Sequence, residues 1–295
     1  SNAILDGIAG NFNENFATGN TGSWGGAIYN IGSIGSNDDT INEGKAIKGD
    51  FIGNYAKSET SSKNAQGGAL YNTGAVGHIQ GDWRSNYAYA KNGHSNGGAI
   101  YNQGGSPEIT SLEGIFVDNY AYVDTGNKNA QGGAIFNGNN GKIGSIINSE
   151  FRNNYAQAAE GVAQGGAIYS GTRSTAPEII NTSFYDNYVY GNSNTYGGAI
   201  YSAVDLNIYA NNGGNSVFQG NYIKQETSTQ NNQAIYMATN NTKLTLAAKE
   251  NGVIQFDDSI DGDGYNINIS GDGTGVVKFN NIVNHVTNFT LGANS

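Results

Sequence analysis

Gly132-Gly133-Ala134-Ile135-Phe136-Asn137, a polar turn, Lys142-Ile143-Gly144-Ser145-Ile146-Ile147-Asn148, and then Ser149-Glu150-Phe151-Arg152-Asn153-Asn154 form one unit of a pattern that fills most of this chain. One signature, aromatic-x-x-Asn, occurs at Phe12/Asn15, Phe51/Asn54, Trp83/Asn86, Phe116/Asn119, Phe151/Asn154, Phe184/Asn187 and Phe218/Asn221. The other, Gly-Gly-Ala-aliphatic-aromatic, begins at Gly25, Gly67, Gly97, Gly132, Gly165 and Gly197, and decays to Asn232-Gln233-Ala234-Ile235-Tyr236 in a seventh copy. Successive aromatics of the first signature lie 39, 32, 33, 35, 33 and 34 positions apart. A period of that size belongs to solenoids, propellers and arrays.

Each unit reads as three short β-type segments separated by Gly, Asn and Ser turns, and none shows the 3.6-residue apolar period of a helix. Helical solenoids are therefore excluded. Propeller blades usually run to ~40–50 residues and four antiparallel strands, which fits these units less well. The sequence predicts an all-β chain folded as a right-handed parallel β-helix, a solenoid of roughly eight to nine coils. In such a fold each strand pairs with its counterpart one coil away, at ~4.8 Å, so like residues stack.

Stacking assigns the repeat to architecture. Phe12, Phe51, Trp83, Phe116, Phe151, Phe184 and Phe218 are expected as one interior ladder, and Ile28, Leu70, Ile100, Ile135, Ile168, Ile200 and Ile235 as another. The Asn of the first signature is expected to form a partly buried amide ladder at a strand end. The Gly-Gly pair belongs at a corner that needs positive φ or has no room for a β-carbon. Polar stretches such as Lys57 to Lys63 read as loops projecting from one edge. The loops Ala56 to Gln66 and Ala121 to Gln131 and the insert Gly35 to Gly49, where the sequence changes from coil to coil, are the segments expected to carry binding. Residues 4–236 carry the repeat, and 237–295 read as less regular coils of the same domain. Ser1-Asn2-Ala3 is expected to be a scar of tag removal.

Composition narrows the function classes. The formal charge is −10 with only 14 Lys and Arg, which argues against nucleic acid as a partner, since that binding depends on clustered basic residues. There is no cysteine, so neither a disulfide framework nor a thiol nucleophile is available. No run approaches the ~18 apolar residues needed to span a bilayer.

The paired signatures, for instance Phe51-Ile52-Gly53-Asn54 followed by Gly67-Gly68-Ala69-Leu70, resemble the FxxN and GGA(I/L/V) repeats of chlamydial polymorphic outer-membrane proteins and related autotransporter adhesins. The likeness covers about residues 12 to 236. The tail from Gly252 to Gly292 is similar to the later passenger coils of Gram-negative autotransporters. The resemblance implies a surface-exposed or secreted bacterial passenger, exported through an outer-membrane barrel expected beyond Ser295. It also implies adhesion to a host-surface or matrix glycan or protein, or self-association. The lack of cysteine departs from many chlamydial members, so the resemblance is taken at the level of the autotransporter class.

Parallel β-helices also carry polysaccharide lyases and glycoside hydrolases, and a purely structural spacer is a third reading. The best catalytic candidates are Asp50 and Asp82, each just before its ladder aromatic and ~5 Å apart if in register, a separation that suits a retaining glycosidase. Alternation points both outward, and the equivalent places hold Ile115, Glu150 and Ser183, so solvated surface is expected and no catalytic residue is assigned. Asp257 to Asp263 has the carboxylates of a Ca²⁺ site, but Asp-Gly is also a common turn, and no metal or cofactor is assigned. His78, His94 and His285 read as lone loop histidines.

Tyrosine is the surface candidate. Tyr29, Tyr71, Tyr101, Phe136, Tyr169 and Tyr201 follow the ladder aliphatic and are expected to face outward as an aromatic stripe able to contact glycan rings or a partner protein. A second set, Tyr55, Tyr87, Tyr120, Tyr155, Tyr188 and Tyr222, follows the ladder Asn. Stacking that only stabilises the solenoid is the alternative for both.

Overall fold

The structure, a computed structural model, describes residues 4–35, 46–192, 194–226 and 228–292. Ser1 to Ala3 and residues 36–45 of the predicted insert lie outside the described residues. Every regular element among the described residues is a strand.

One coil contains five strands rather than the three expected: Ile135–Asn137, Lys142–Ile147, Glu150–Arg152, Tyr155–Ala158 and Ala163–Gln164. Each pairs in parallel with its counterpart one coil on, as in Ile135↔Ile168, Ile146↔Ile179, Phe151↔Phe184, Tyr155↔Tyr188 and Ala163↔Thr195. The chain is thus a parallel β-helix. Repetition creates five faces, here called aliphatic, long, aromatic, tyrosine and short, in chain order.

The first three faces enclose the main core. Ile28, Leu70, Ile100, Ile135, Ile168, Ile200 and Ile235 are all buried and in register. The rings from Phe51 to Phe218 are fully buried and stack between 4.0 and 5.6 Å. The aromatic ladder continues past its last full signature to Phe256 and Phe279. Each such side chain contributes roughly 1.5–3 kcal/mol on burial, which makes these ladders the main source of stability.

The spacer corrects the sequence reading. Tyr55–Ser61 is a strand paired with Tyr87–Asn92, so most of Lys57 to Lys63 is sheet and not a projecting loop. Likewise Tyr120–Val123 and Ala130–Gln131 are strands, which leaves only residues 124–129 as the turn of the second predicted loop. Sequence alternation explains this. Tyr155-Ala156-Gln157-Ala158 turns small residues inward, and Ala156, Ala158, Ala163, Ala121, Val123 and Ala130 form a separate buried cluster. Alanine lets the tyrosine and short faces close on each other, and the spacer becomes a thin side lobe.

The Gly-Gly corner joins that lobe to the aliphatic face, and its two residues do different work. Gly132 has φ 65°. Gly133 has no room for a side chain, because a β-carbon there would lie 2.0 Å from the Gly166 carbonyl oxygen. Where both glycines are missing, at Asn232-Gln233, no corner forms. Asn231–Met237 runs as one strand and pairs antiparallel with the tyrosine face through Tyr222↔Asn232. The lobe ends there. Beyond it the coils keep only three faces and shorten from 33 residues, as in Ile135 to Ile168, to 23, as in Val253 to Val276. Strands from Lys243 onward pair with the same long, aromatic and aliphatic sheets, so the tail continues the solenoid.

Candidate binding surfaces

The first signature is consumed by structure. The residue before each ladder Asn bends the chain in left-handed conformation, with φ between 54° and 73° from Glu14 to Gly220. Each Asn then bonds along the stack: Asn119 donates from Nδ2 to Asn154 Oδ1 at 2.9 Å and back to the Trp83 carbonyl at 2.8 Å, while its backbone N–H also reaches Asn154 Oδ1 at 3.0 Å. The same set recurs from Asn54 to Asn221. These amides are fully buried and fully paired, where the sequence reading expected partial burial.

Sequence reasoning missed three related features. The amide ladder ends on Asp258, whose Oδ2 accepts from Asn221 N and Nδ2 and whose Oδ1 accepts from Gly220 N. Burial pushes its carboxyl upward in pKa, and those hydrogen bonds partly offset the rise. The visible signal was Phe256 two residues before it, one short of the usual spacing. A second amide ladder links Asn30, Asn72, Asn102 and Asn137 at 2.8–2.9 Å. Its signal was the Asn closing the quoted Ala-Ile-Phe-Asn. Ser149, Thr182 and Ser216 form a hydroxyl ladder at the next corner, each Oγ accepting the backbone N–H of the coil before.

Asp50 and Asp82 do fall on adjacent coils, yet both carboxylates are occupied. Asp50 Oδ1 accepts from Asp82 N at 3.1 Å, Asp82 Oδ1 accepts from Ile115 N at 3.3 Å, and Arg84 pairs with Asp82 Oδ2 at 2.7 Å. They cap backbone groups at a corner. The carboxylates from Asp257 to Asp263 diverge: Asp257 bonds Gln255 and Asn280, Asp258 turns inside, and Asp261 and Asp263 lie on the outer surface. His78 contacts Ser111 and Glu113, His94 Nδ1 accepts from Asn129 N and is pushed down in pKa by burial, and His285 pairs with Asp261.

The predicted stripe does stack: Tyr29, Tyr71, Tyr101, Phe136, Tyr169 and Tyr201 follow one another with centroids 4.8–5.1 Å apart. Of these six rings the first is the most exposed. Tyr29 is 55% exposed, whereas Tyr101 and Phe136 are 5% exposed. The short face covers the rest: Gln66, Gln131 and Gln164 reach Tyr101, Tyr169 and Tyr201, and burial raises the pKa of all three phenols.

The second tyrosine set is the more accessible one. Tyr55, Tyr87, Tyr120, Tyr155, Tyr188 and Tyr222 are half-buried along six coils, with centroids 4.8–5.0 Å apart and ring planes within 7° of parallel. Beside them a second row places Tyr89 against Tyr122, with Lys57 over Tyr89 and Lys224 over Tyr190. Because each ring covers its neighbours' faces, this surface presents ring edges and phenol groups.

Comparison with protein-family models, with curated proteins and with solved structures finds no match to this chain.

Proposed function

We propose that this chain is a stalk-like passenger segment of a bacterial surface-exposed or secreted protein, and that it acts in adhesion or cell-to-cell self-association. The observation that carries the reading is the tyrosine face, a half-exposed surface whose stacked phenol rings repeat over six coils. Phenol edges at a constant spacing offer many equivalent weak contacts, and multivalency converts such contacts into firm attachment. The resemblance of the paired signatures to autotransporter passengers supports the same reading. Its ligand is a host-surface or matrix molecule, or a second copy of the chain on a neighbouring cell.

Replacing Tyr87, Tyr120, Tyr155 and Tyr188 together by Ser tests it. Attachment of protein-coated beads to cells, to matrix and to each other is expected to fall by about tenfold or more, with the far-ultraviolet strand spectrum unchanged. Equal attachment by a folded variant defeats the proposal.

A further inference from the structure

The buried aromatic stripe changes chemistry at its eighth rung. Tyr201 pairs with Tyr236, and Tyr236 pairs with Asp261, so an aspartate stands where each earlier coil places a ring. Tyr236 therefore has ring neighbours on one side only, Tyr201 at 6.1 Å and the tilted Tyr196 at 4.5 Å. The strand Val286–Leu291 lies still further along, so this opening is written into the sequence of an interior coil.

Two carboxylates flank the opening. The Tyr236 hydroxyl donates to Asp263 Oδ1 at 2.7 Å, and Asp261 Oδ1 accepts from Gly262 N at 2.8 Å and contacts His285 Nδ1 at 2.6 Å. The Oδ2 atom of each carboxylate makes no hydrogen bond among the described residues. The turn that holds them is fixed, since Gly264 has φ 87° and a β-carbon on Gly262 would meet the Met237 carbonyl oxygen at 2.4 Å. Together these groups line a surface hollow of about 440 Å³.

A tyrosine π-face and free carboxylate oxygens share one complement, a positively charged group with N–H donors. A hard divalent ion needs six to eight oxygen ligands, and among the described residues no group of three or more His, Asp or Glu side chains is placed to hold a metal. A neutral sugar can hydrogen-bond the carboxylates through its hydroxyls, but it leaves both charges uncompensated, whereas a cation neutralises them.

We propose that Tyr236, Asp261 and Asp263 form a binding site for an organic cation, the guanidinium or ammonium group of a basic side chain on a partner protein. The site deepens the adhesion reading by naming a ligand chemistry, and it lies apart from the tyrosine face. His285 is an internal rival: as an imidazolium facing Asp261 and Asp263 it neutralises the hollow, and as a neutral ring it leaves the carboxylates to the ligand.

The test is a titration of the intact protein with N-acetyl-arginine amide, N-acetyl-lysine amide and the uncharged N-acetyl-norleucine amide, followed by calorimetry and by the ring resonances of Tyr236 and His285. The two basic probes are expected to bind and the norleucine probe is not. Asp263→Asn is expected to weaken binding about tenfold. Affinity is expected to fall from about pH 8 to about pH 5, and His285→Gln to flatten that fall. Absence of arginine binding, equal binding of norleucine, or unchanged affinity in both Asp261→Asn and Asp263→Asn overturns the proposal. So does a response of the same resonances to calcium chloride alone. Free probes report on this hollow without any cell surface, so its failure and failure of the adhesion reading are separate results.

Discussion

Asp258 shows how one residue closes a repeat. Six amides pass hydrogen bonds from Asn54 to Asn221, and the carboxylate then accepts three bonds while being almost fully buried. Burial raises its pKa above that of the unfolded chain, so its protonated form is favoured in the fold. Stability contributed by this group is therefore greatest below the unfolded carboxyl range and is lost as pH rises through the raised folded value. Asp258→Asn removes that dependence. Urea denaturation of the two proteins between about pH 3 and pH 7 is expected to show the variant gaining on the wild type as pH rises. The variant still forfeits the Gly220 N–H bond at every pH, because its amide nitrogen cannot accept.

At the level of the element, the Gly-Gly corner sets how many faces a coil has. Gly133→Ala would drive a β-carbon into backbone atoms of the next coil, which have no side-chain freedom to yield. A loss of about 3 kcal/mol or more in unfolding free energy is expected, against less than about 0.5 kcal/mol for Gly105→Ala, where no atom lies within 4 Å of the added carbon. The aromatic and aliphatic ladders were legible in the sequence because Phe, Trp, Ile and Leu recur at fixed places and burial is their ordinary fate. The corner was legible because glycine has few other uses there. The side lobe was not, because its core is built from Ala88, Ala121, Ala156 and Ala163, and alanine among polar residues looks like a loop. The covered state of the tyrosine stripe was hidden for a related reason: its cover is Gln66, Gln131 and Gln164, polar residues more than a full coil away along the chain from the rings they reach. The opening at Asp261 appears only once register is known.

For the whole molecule, register makes the coil the unit of change. Deleting residues 132–164 joins Gln131 to Gly165 and brings Asn119 against Asn187, so every ladder is restored one rung shorter. This protein is expected to fold cooperatively and to shorten by about 4.8 Å in small-angle scattering. Deleting only 132–148 breaks the register of all faces and is expected to leave the chain aggregated or partly unfolded. A folded, full-register product from that half-coil deletion would disprove the account.

The amide ladder also has a direction. In every rung the nitrogen points toward the later coil and the oxygen toward the earlier one, so the side-chain dipoles add along the axis as peptide dipoles add in an α-helix. The positive end of that sum faces the C-terminal coils, and there the chain places a carboxyl group, whose burial-raised pKa the donated hydrogen bonds partly offset. A carboxylate has no N–H to hand on, so it fits only as the last member of such a series. The asparagines thus form a vector with a head and a tail, and Asp258 is its terminus by electrostatics as well as by position.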